Sequence, residues 1–212
     1  SSTLEAYYDG KKELFGGLAV AELEKEWFVH PILHLDLNTE KYDTPEALEN
    51  KLSLNLRMWE DEYGANEYEY SLATRFEGII RRAAEKTGRN VVVLIDEYDK
   101  PMLQAIGNDA LMTAYRNTLK AFYGALKSCD QYIRFALLTG VTKFSKVSVF
   151  SDLNNLMDIS MSSRFANICG ITEDELYLDF KEAIVELGQQ NGMSEEETKA
   201  SLKTMYDGYH FT

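Results

Sequence analysis

Two adjacent carboxylates end the most apolar stretch of the chain. The run Val91-Val92-Val93-Leu94-Ile95 is followed directly by Asp96 and Glu97. Consecutive apolar residues, mostly β-branched, predict a strand buried on both faces, as in a parallel sheet covered by helices on each side. Ligands of such sheets bind outside the carboxyl ends of the strands, so we expect Asp96 and Glu97 at the mouth of a site.

This pair of acids is typical of a nucleotide-hydrolysing site. In such a site the first acid holds the magnesium ion of a bound nucleotide, and the second orients or deprotonates the attacking water. Asp96 is therefore the candidate metal ligand and Glu97 the candidate catalytic base. Two alternatives stay open at this point. Both acids can be simply solvated, or they can join Asp99 in a metal-binding acid cluster of a nuclease or phosphatase.

A second apolar run, residues 132–140, supplies a hydroxyl group at its carboxyl end, Thr139. Right-handed crossovers place the ends of parallel strands on one edge of a sheet, so Thr139 is expected near Asp96 and Glu97. There it would be a catalytic residue that contacts the terminal phosphate or the attacking water. The alternative is a buried hydroxyl group bonded to the backbone.

Three long amphipathic helices are predicted between and beside these strands. The first begins at Thr44-Pro45-Glu46, with a hydroxyl cap, a proline at the first helical position and an acid in the first turn. The second begins near Ser71, and the third covers residues 109–128. Because strands and helices alternate, with another strand at 31–37, the sequence predicts an α/β fold with a parallel sheet.

The chain is expected to open in a helix over residues 1–8 and to close in helices that follow two capping boxes, at Thr172 and Ser194. Residues 168–171 are interpreted as a last short strand. We therefore divide the chain into an α/β core, 1–171, and a C-terminal helical extension, 172–212.

Composition excludes several classes of protein. The chain has 212 residues, with 35 acidic and 22 basic side chains and a formal net charge of -13. This charge disfavours binding to nucleic acid or to an anionic membrane surface. The two cysteines are far apart, which suggests neither a disulfide framework nor a zinc site. No apolar run reaches the roughly 18 residues that span a bilayer. We expect a cytoplasmic protein without membrane partners.

Four separated motifs resemble the AAA-ATPase-like family of bacterial proteins, in the order in which that family carries them. They cover nearly the whole chain and are residues 91–101, 138–148, 152–156 and 206–209, the last reading Tyr-Asp-Gly-Tyr. The resemblance implies a three-layer P-loop NTPase fold that binds ATP and Mg²⁺. It also implies that Asp96 and Glu97 are the Walker B pair and that Thr139 is the polar sensor on the next strand.

Three further residues are weighed individually. Lys143 follows a strand end and is a candidate for binding phosphate, although a solvated loop lysine is the commoner outcome. Arg164 is a candidate for stabilising transferred charge, with a surface salt bridge as the alternative. His34 has no partner at ligand spacing, so we interpret it as a core or strand-end histidine and not as a metal ligand.

The chain departs from the family in one respect. A phosphate-binding loop, Gly-x-x-x-x-Gly-Lys-Ser/Thr, holds phosphates through backbone amides and a lysine, and no such string occurs in the sequence. Family members carry this loop just upstream of a helix that resembles residues 1–8. We therefore expect the strand that carries this loop to precede Ser1. Its place in the sheet, between the Thr139 strand and the strand at 168–171, is expected to be a gap.

The function expected from this resemblance is ATP binding and hydrolysis that regulates an attached domain. The family typically carries a C-terminal PD-(D/E)XK nuclease-like domain, which is expected after Thr212. The expected partners are nucleotide, that domain and a further copy of the chain, and the segment alone is expected to be inactive. The non-enzymatic alternative is a degenerate NTPase fold that serves as a protein-binding or oligomerisation module.

Overall fold

The computed structural model describes residues 1–141, 149–150, 153, 155–160, 162–168 and 170–206. Their contacts divide the chain into two units, residues 1–155 and 156–212. The predicted division at 171 and 172 stays a prediction. The candidate acids lie in the first unit, whose sheet and helices are described first.

The sheet of the first unit contains three parallel strands in the order β1-β2-β3. They are β1, Ile32–Asp36, β2, Val91–Asp96, and β3, Ile133–Leu138. The register places Asp36 of β1 beside Asp96 of β2. Because β2 pairs on both sides and its apolar residues are buried, the strand predicted from the run before Asp96 is confirmed as the central strand.

Three long helices form the main apolar layer of this unit. They are α3, Pro45–Tyr63, α4, Leu72–Thr87, and α6, Asp109–Ser128, while the short α5 covers Lys100–Gln104. The predicted helices are confirmed, because residues at helical spacing on each of them are buried. Their aromatic side chains pack in a row, with Phe76 stacked on Phe122 at 4.5 Å between ring centroids.

The N-terminal segment packs against the face of β1 that carries His34. It contains α1, Ser2–Tyr8, a short 3-10 turn, Lys12–Phe15, and α2, Ala19–Leu23. The α1 helix runs along the strands, since Ser1 contacts Asp96 at their carboxyl end and Tyr8 stacks on Phe135 near their amino end. Leu33 and Leu35 are fully buried, whereas His34 and Asp36, which alternate with them, are half-buried.

The described residues of the second unit include the helices α7, Glu173–Asp179, α8, Lys181–Asn191, and α9, Glu195–Tyr206. Both predicted capping boxes form, with the side chains of Thr172 and Ser194 accepting from the backbone N–H groups three residues later. The strand predicted at 168–171 is wrong for its described residues. Ile168 and Ile171 are both 60% exposed and lie outside any strand, and Cys169 is not among the described residues.

Candidate functional site

The central strand ends in a β-bulge. The Thr139 N–H donates to the Ile95 carbonyl at 2.9 Å, and the Tyr98 N–H donates to the Thr139 carbonyl at 2.9 Å. Asp96 and Glu97 therefore lie together opposite Thr139, which is the pattern of a bulge. Such bulges bend the strand and re-aim a side chain, here at the strand end where the sequence places the two acids.

Glu97 holds the strained position of this bulge. Its φ of 54° lies in the left-handed region, and no other non-glycine residue of the described chain has a positive φ. A conformation of this kind costs on the order of 1–3 kcal/mol and persists only where the surrounding structure imposes it. The carboxylate of Glu97 is half-buried and has no hydrogen bond or ion pair within the described chain. Both of its oxygens are therefore available to a water molecule.

Asp96 is held from both neighbouring strands. The Thr139 hydroxyl group donates to Asp96 Oδ1 at 2.7 Å, so the predicted proximity of these two residues is present in the structure. On the other side, His34 Nε2 lies 2.9 Å from Asp96 Oδ2, and the Ser1 hydroxyl group also donates to Oδ2. The carboxylate thus has a fixed orientation at the end of the sheet.

The Asp96 carboxylate is strongly favoured in its ionised form. Burial acts to raise its pKa, but the hydrogen bonds from Ser1, His34 and Thr139 outweigh burial and lower the pKa to about 2. A carboxylate that is ionised at neutral pH is a hard oxygen ligand of the type that Mg²⁺ prefers. The donor chemistry of this residue therefore fits the predicted metal.

A histidine links Asp96 to the N-terminal helix. His34 Nδ1 lies 3.2 Å from Glu5 Oε2 of α1, while its Nε2 faces Asp96. Polar contacts consequently connect Glu5, His34, Asp96 and Thr139. Glu5 belongs to α1, His34 and Asp96 belong to β1 and β2, and Thr139 directly follows β3. We call Asp36, Asp96, Glu97 and Thr139, at the strand ends, the carboxyl edge.

Asp99 is occupied in a different way from Asp96. Its side chain is fully buried, and Oδ1 accepts the Val141 N–H at 3.3 Å. Gly140 makes room for it, because a Cβ atom there would lie 2.5 Å from Asp99 Oδ1. Within the described residues, no group of three His, Cys, Asp or Glu side chains is arranged to hold a metal ion. Asp99 therefore fastens the segment after β2 to the segment after β3.

The remaining predicted site residues are placed as follows. Lys143 lies outside the described residues. Arg164 belongs to the second unit, where it is exposed and its guanidinium group lies 5.5 Å from the centre of the Phe165 ring. Their roles as cofactor-binding residues stay predictions.

The opposite end of the sheet has other chemistry. We call His30, Arg89, Asn90 and Arg134, at the amino ends of the strands, the amino edge. They line an open cavity of about 700 Å³ together with aromatic residues such as Trp27. None of the acids at the carboxyl edge lines this cavity. This cavity therefore lies away from the edge that carries the candidate chemistry.

Sequence reasoning missed the contact of His34 with Asp96. A signal was present, because Leu35-Asp36-Leu37 and Ile95-Asp96-Glu97 both end a strand in an acid. If those two acids are aligned across the sheet, as they are in the structure, His34 falls on the same face as Asp96. Glu5 could be recognised only after α1 was placed against this face.

Comparison with known proteins decides the family. A model of the family described as Predicted AAA-ATPase matches residues 1–150. The chain belongs to this family. It is also similar to an uncharacterized protein encoded in the vnfD 5' region of Azotobacter chroococcum mcd 1, with 35% identity over 210 residues. The aligned region covers 99% of this chain but 39% of that relative. No solved structure matches this member of the AAA-ATPase-like family.

The membership agrees with the α/β architecture described above. The three parallel strands and their helices form part of a P-loop-like fold. Among the described residues of this family member, no helix combines the length and the apolar character that crossing a membrane requires.

Proposed function

We propose that this chain carries the metal-binding and water-activating part of an ATP-hydrolysing module. The observation that carries the proposal is the carboxylate of Asp96, which ends the central strand and is fixed by the Thr139 hydroxyl group at 2.7 Å. Asp96 would hold Mg²⁺, which keeps several waters and is otherwise bound by substrate phosphates. When bound, this ion would supply charge stabilisation to the transferred phosphoryl group.

Glu97 is the proposed general base. Its carboxylate has no competing partner in the described chain, and the bulge places Glu97 next to Asp96 opposite Thr139. A carboxylate free to accept a hydrogen bond can orient a water molecule and take its proton during attack. The Thr139 hydroxyl group, already within hydrogen-bond distance of Asp96, would contact the terminal phosphate or the attacking water.

The phosphate-binding loop is proposed to come from chain that precedes Ser1 in a longer protein. The start of α1 lies beside Asp96, so a loop joined to this helix would emerge at the carboxyl edge. In the described chain β3 pairs on one side only, and its residues are half-buried or exposed, which leaves room for another strand. The greater length of the Azotobacter relative also supports a longer protein.

In that longer protein we propose that the nucleotide state regulates an attached nuclease-like domain. Lys143 and Arg164 are the proposed phosphate-binding and charge-stabilising cations. A second copy of the chain is a proposed partner, and the proposed location is the cytoplasm.

The alternative of a metal-binding acid cluster is less well supported. The buried Asp99 carboxylate accepts from the Val141 N–H, and the Asp96 carboxylate accepts from the Thr139 hydroxyl group.

The test compares the proposed longer protein with its Glu97→Gln variant. Binding of ATP with Mg²⁺ and release of phosphate are measured for both. We expect the parent to hydrolyse ATP and the variant to bind it but to turn over at least about a hundredfold more slowly. If the parent binds no ATP, the ATPase proposal is wrong, and a binding or oligomerisation module takes its place.

A further inference from the structure

His34 stands between two carboxylates that belong to different elements. Its Nε2 lies 2.9 Å from Asp96 Oδ2 on β2, and its Nδ1 lies 3.2 Å from Glu5 Oε2 on α1. Each ring nitrogen thus lies within hydrogen-bond distance of a carboxylate oxygen, and the tautomer of the ring decides which nitrogen donates. The side chain is 29% exposed, which leaves less water to compete for these contacts than at a fully exposed site.

The two contacts of His34 reach the Asp96 carboxylate and helix α1, and the proposed site needs both. Asp96 receives Thr139 on Oδ1 and His34 on Oδ2, so a rotation of the carboxylate would break at least one hydrogen bond. Glu5 restrains the imidazole ring from the other side. Partners of this kind, which orient a metal-binding side chain, typically change metal affinity by about 10–100-fold when they are removed.

We propose that His34 is a positioning residue that orients Asp96 for magnesium and, through Glu5, ties that carboxylate to α1. This inference rests on the proposed function. It adds a link to the helix from which the phosphate-binding loop is proposed to emerge. Movement of α1 would then be transmitted to the metal-binding carboxylate through a chain of two side chains.

The test uses the longer protein and a fluorescent ATP analogue, whose dissociation constant is measured with and without Mg²⁺. His34→Ala is expected to reduce the gain in affinity that Mg²⁺ provides by about tenfold, with little change in binding without metal. His34→Gln is expected to recover part of that gain, because its amide can still donate to Asp96. Glu5→Gln is expected to have a smaller effect than His34→Ala.

The chain offers a matched control in His30, which lies four residues before His34 and is also half-buried. His30 Nδ1 contacts the Asn90 carbonyl at 2.8 Å, at the amino edge. His30→Ala is expected to leave the Mg²⁺-dependent gain unchanged.

The outcomes separate the two proposals. If the parent gains affinity with Mg²⁺ and His34→Ala keeps the whole gain, the positioning role is wrong and the proposed function stands. The positioning role is also wrong if His34→Ala weakens binding equally with and without metal. If the parent binds no nucleotide under either condition, the proposed function fails and the positioning role fails with it.

Discussion

The two ends of the three-stranded sheet use the same kinds of side chain for different purposes. At the amino edge, His30 contacts a backbone carbonyl and the Arg89 guanidinium group lies 3.8 Å from the centre of the Phe28 ring. At the carboxyl edge, His34 contacts two carboxylates, and Asp96 also accepts a side-chain hydroxyl group. At the amino edge these two side chains thus contact neutral groups, whereas at the carboxyl edge charged and polar side chains contact one another.

The difference extends to the backbone. The carboxyl edge contains the bulge and the positive φ of Glu97, and a glycine, Gly140, is required beside a buried acid. The amino edge borders the cavity of about 700 Å³. Among the described residues at this edge, none other than glycine has a positive φ. Strain and fixed polar groups, more than open volume, therefore distinguish the edge at which we propose that chemistry occurs.

The largest expected effect comes from removing the charge of Asp96. In the longer protein, Asp96→Asn is expected to lower magnesium-dependent ATP hydrolysis by at least about a hundredfold, because the proposed metal ligand loses its charge. The matched change at the amino edge, Arg134→Gln, also removes one charge and is expected to leave the rate within about twofold. Equal losses in the two variants would remove the functional distinction between the edges.

A steric change at the carboxyl edge is expected to come next. In Gly140→Ala the new Cβ would lie 2.5 Å from Asp99 Oδ1 and 2.7 Å from the Tyr98 ring, so the free energy of unfolding should fall by about 1–3 kcal/mol. Gly124 of α6 has no atom within 4 Å of such a Cβ. Gly124→Ala should therefore raise the free energy of unfolding by about 1 kcal/mol. Urea unfolding measures both, and an unchanged Gly140→Ala protein would contradict the packing described for Asp99.

A smaller and opposite effect is expected from relieving strain. Glu97→Gly should raise the free energy of unfolding by about 1 kcal/mol, because glycine adopts a φ of 54° without steric cost. It should also abolish hydrolysis. The same substitution at the exposed Glu85 of α4 should lower the free energy of unfolding by about 1 kcal/mol. Destabilisation by Glu97→Gly would mean that the bulge is not strained.

The smallest expected effect concerns pH. The pKa of Asp96 falls from an ordinary 3.8 to about 2 in the folded protein, so its ionised form stabilises the fold above pH 4. This contribution is lost as the pH falls through about 2. The difference in unfolding free energy between the parent and Asp96→Asn should therefore shrink between pH 4 and pH 2. A difference that stays constant over this range would contradict the lowered pKa.

Much of the fold could be predicted from local sequence. The helices α3, α4 and α6 follow from apolar residues at helical spacing, and the direction of the strands brought Thr139 to Asp96 as expected. The contact of His34 with Asp96 depends on strand register, which periodicity does not define. The positive φ of Glu97 depends on hydrogen bonds from another strand. The failed strand at 168–171 shows that a short apolar run does not specify its own pairing.

The most direct measurement is a crystal structure of the longer protein with Mg²⁺ and a non-hydrolysable ATP analogue. We expect the metal ion beside the Asp96 carboxylate, bound directly or through water, and the terminal phosphate next to Glu97 and Thr139. A nucleotide in the cavity at the amino edge, or a metal ion away from Asp96, would contradict this expectation.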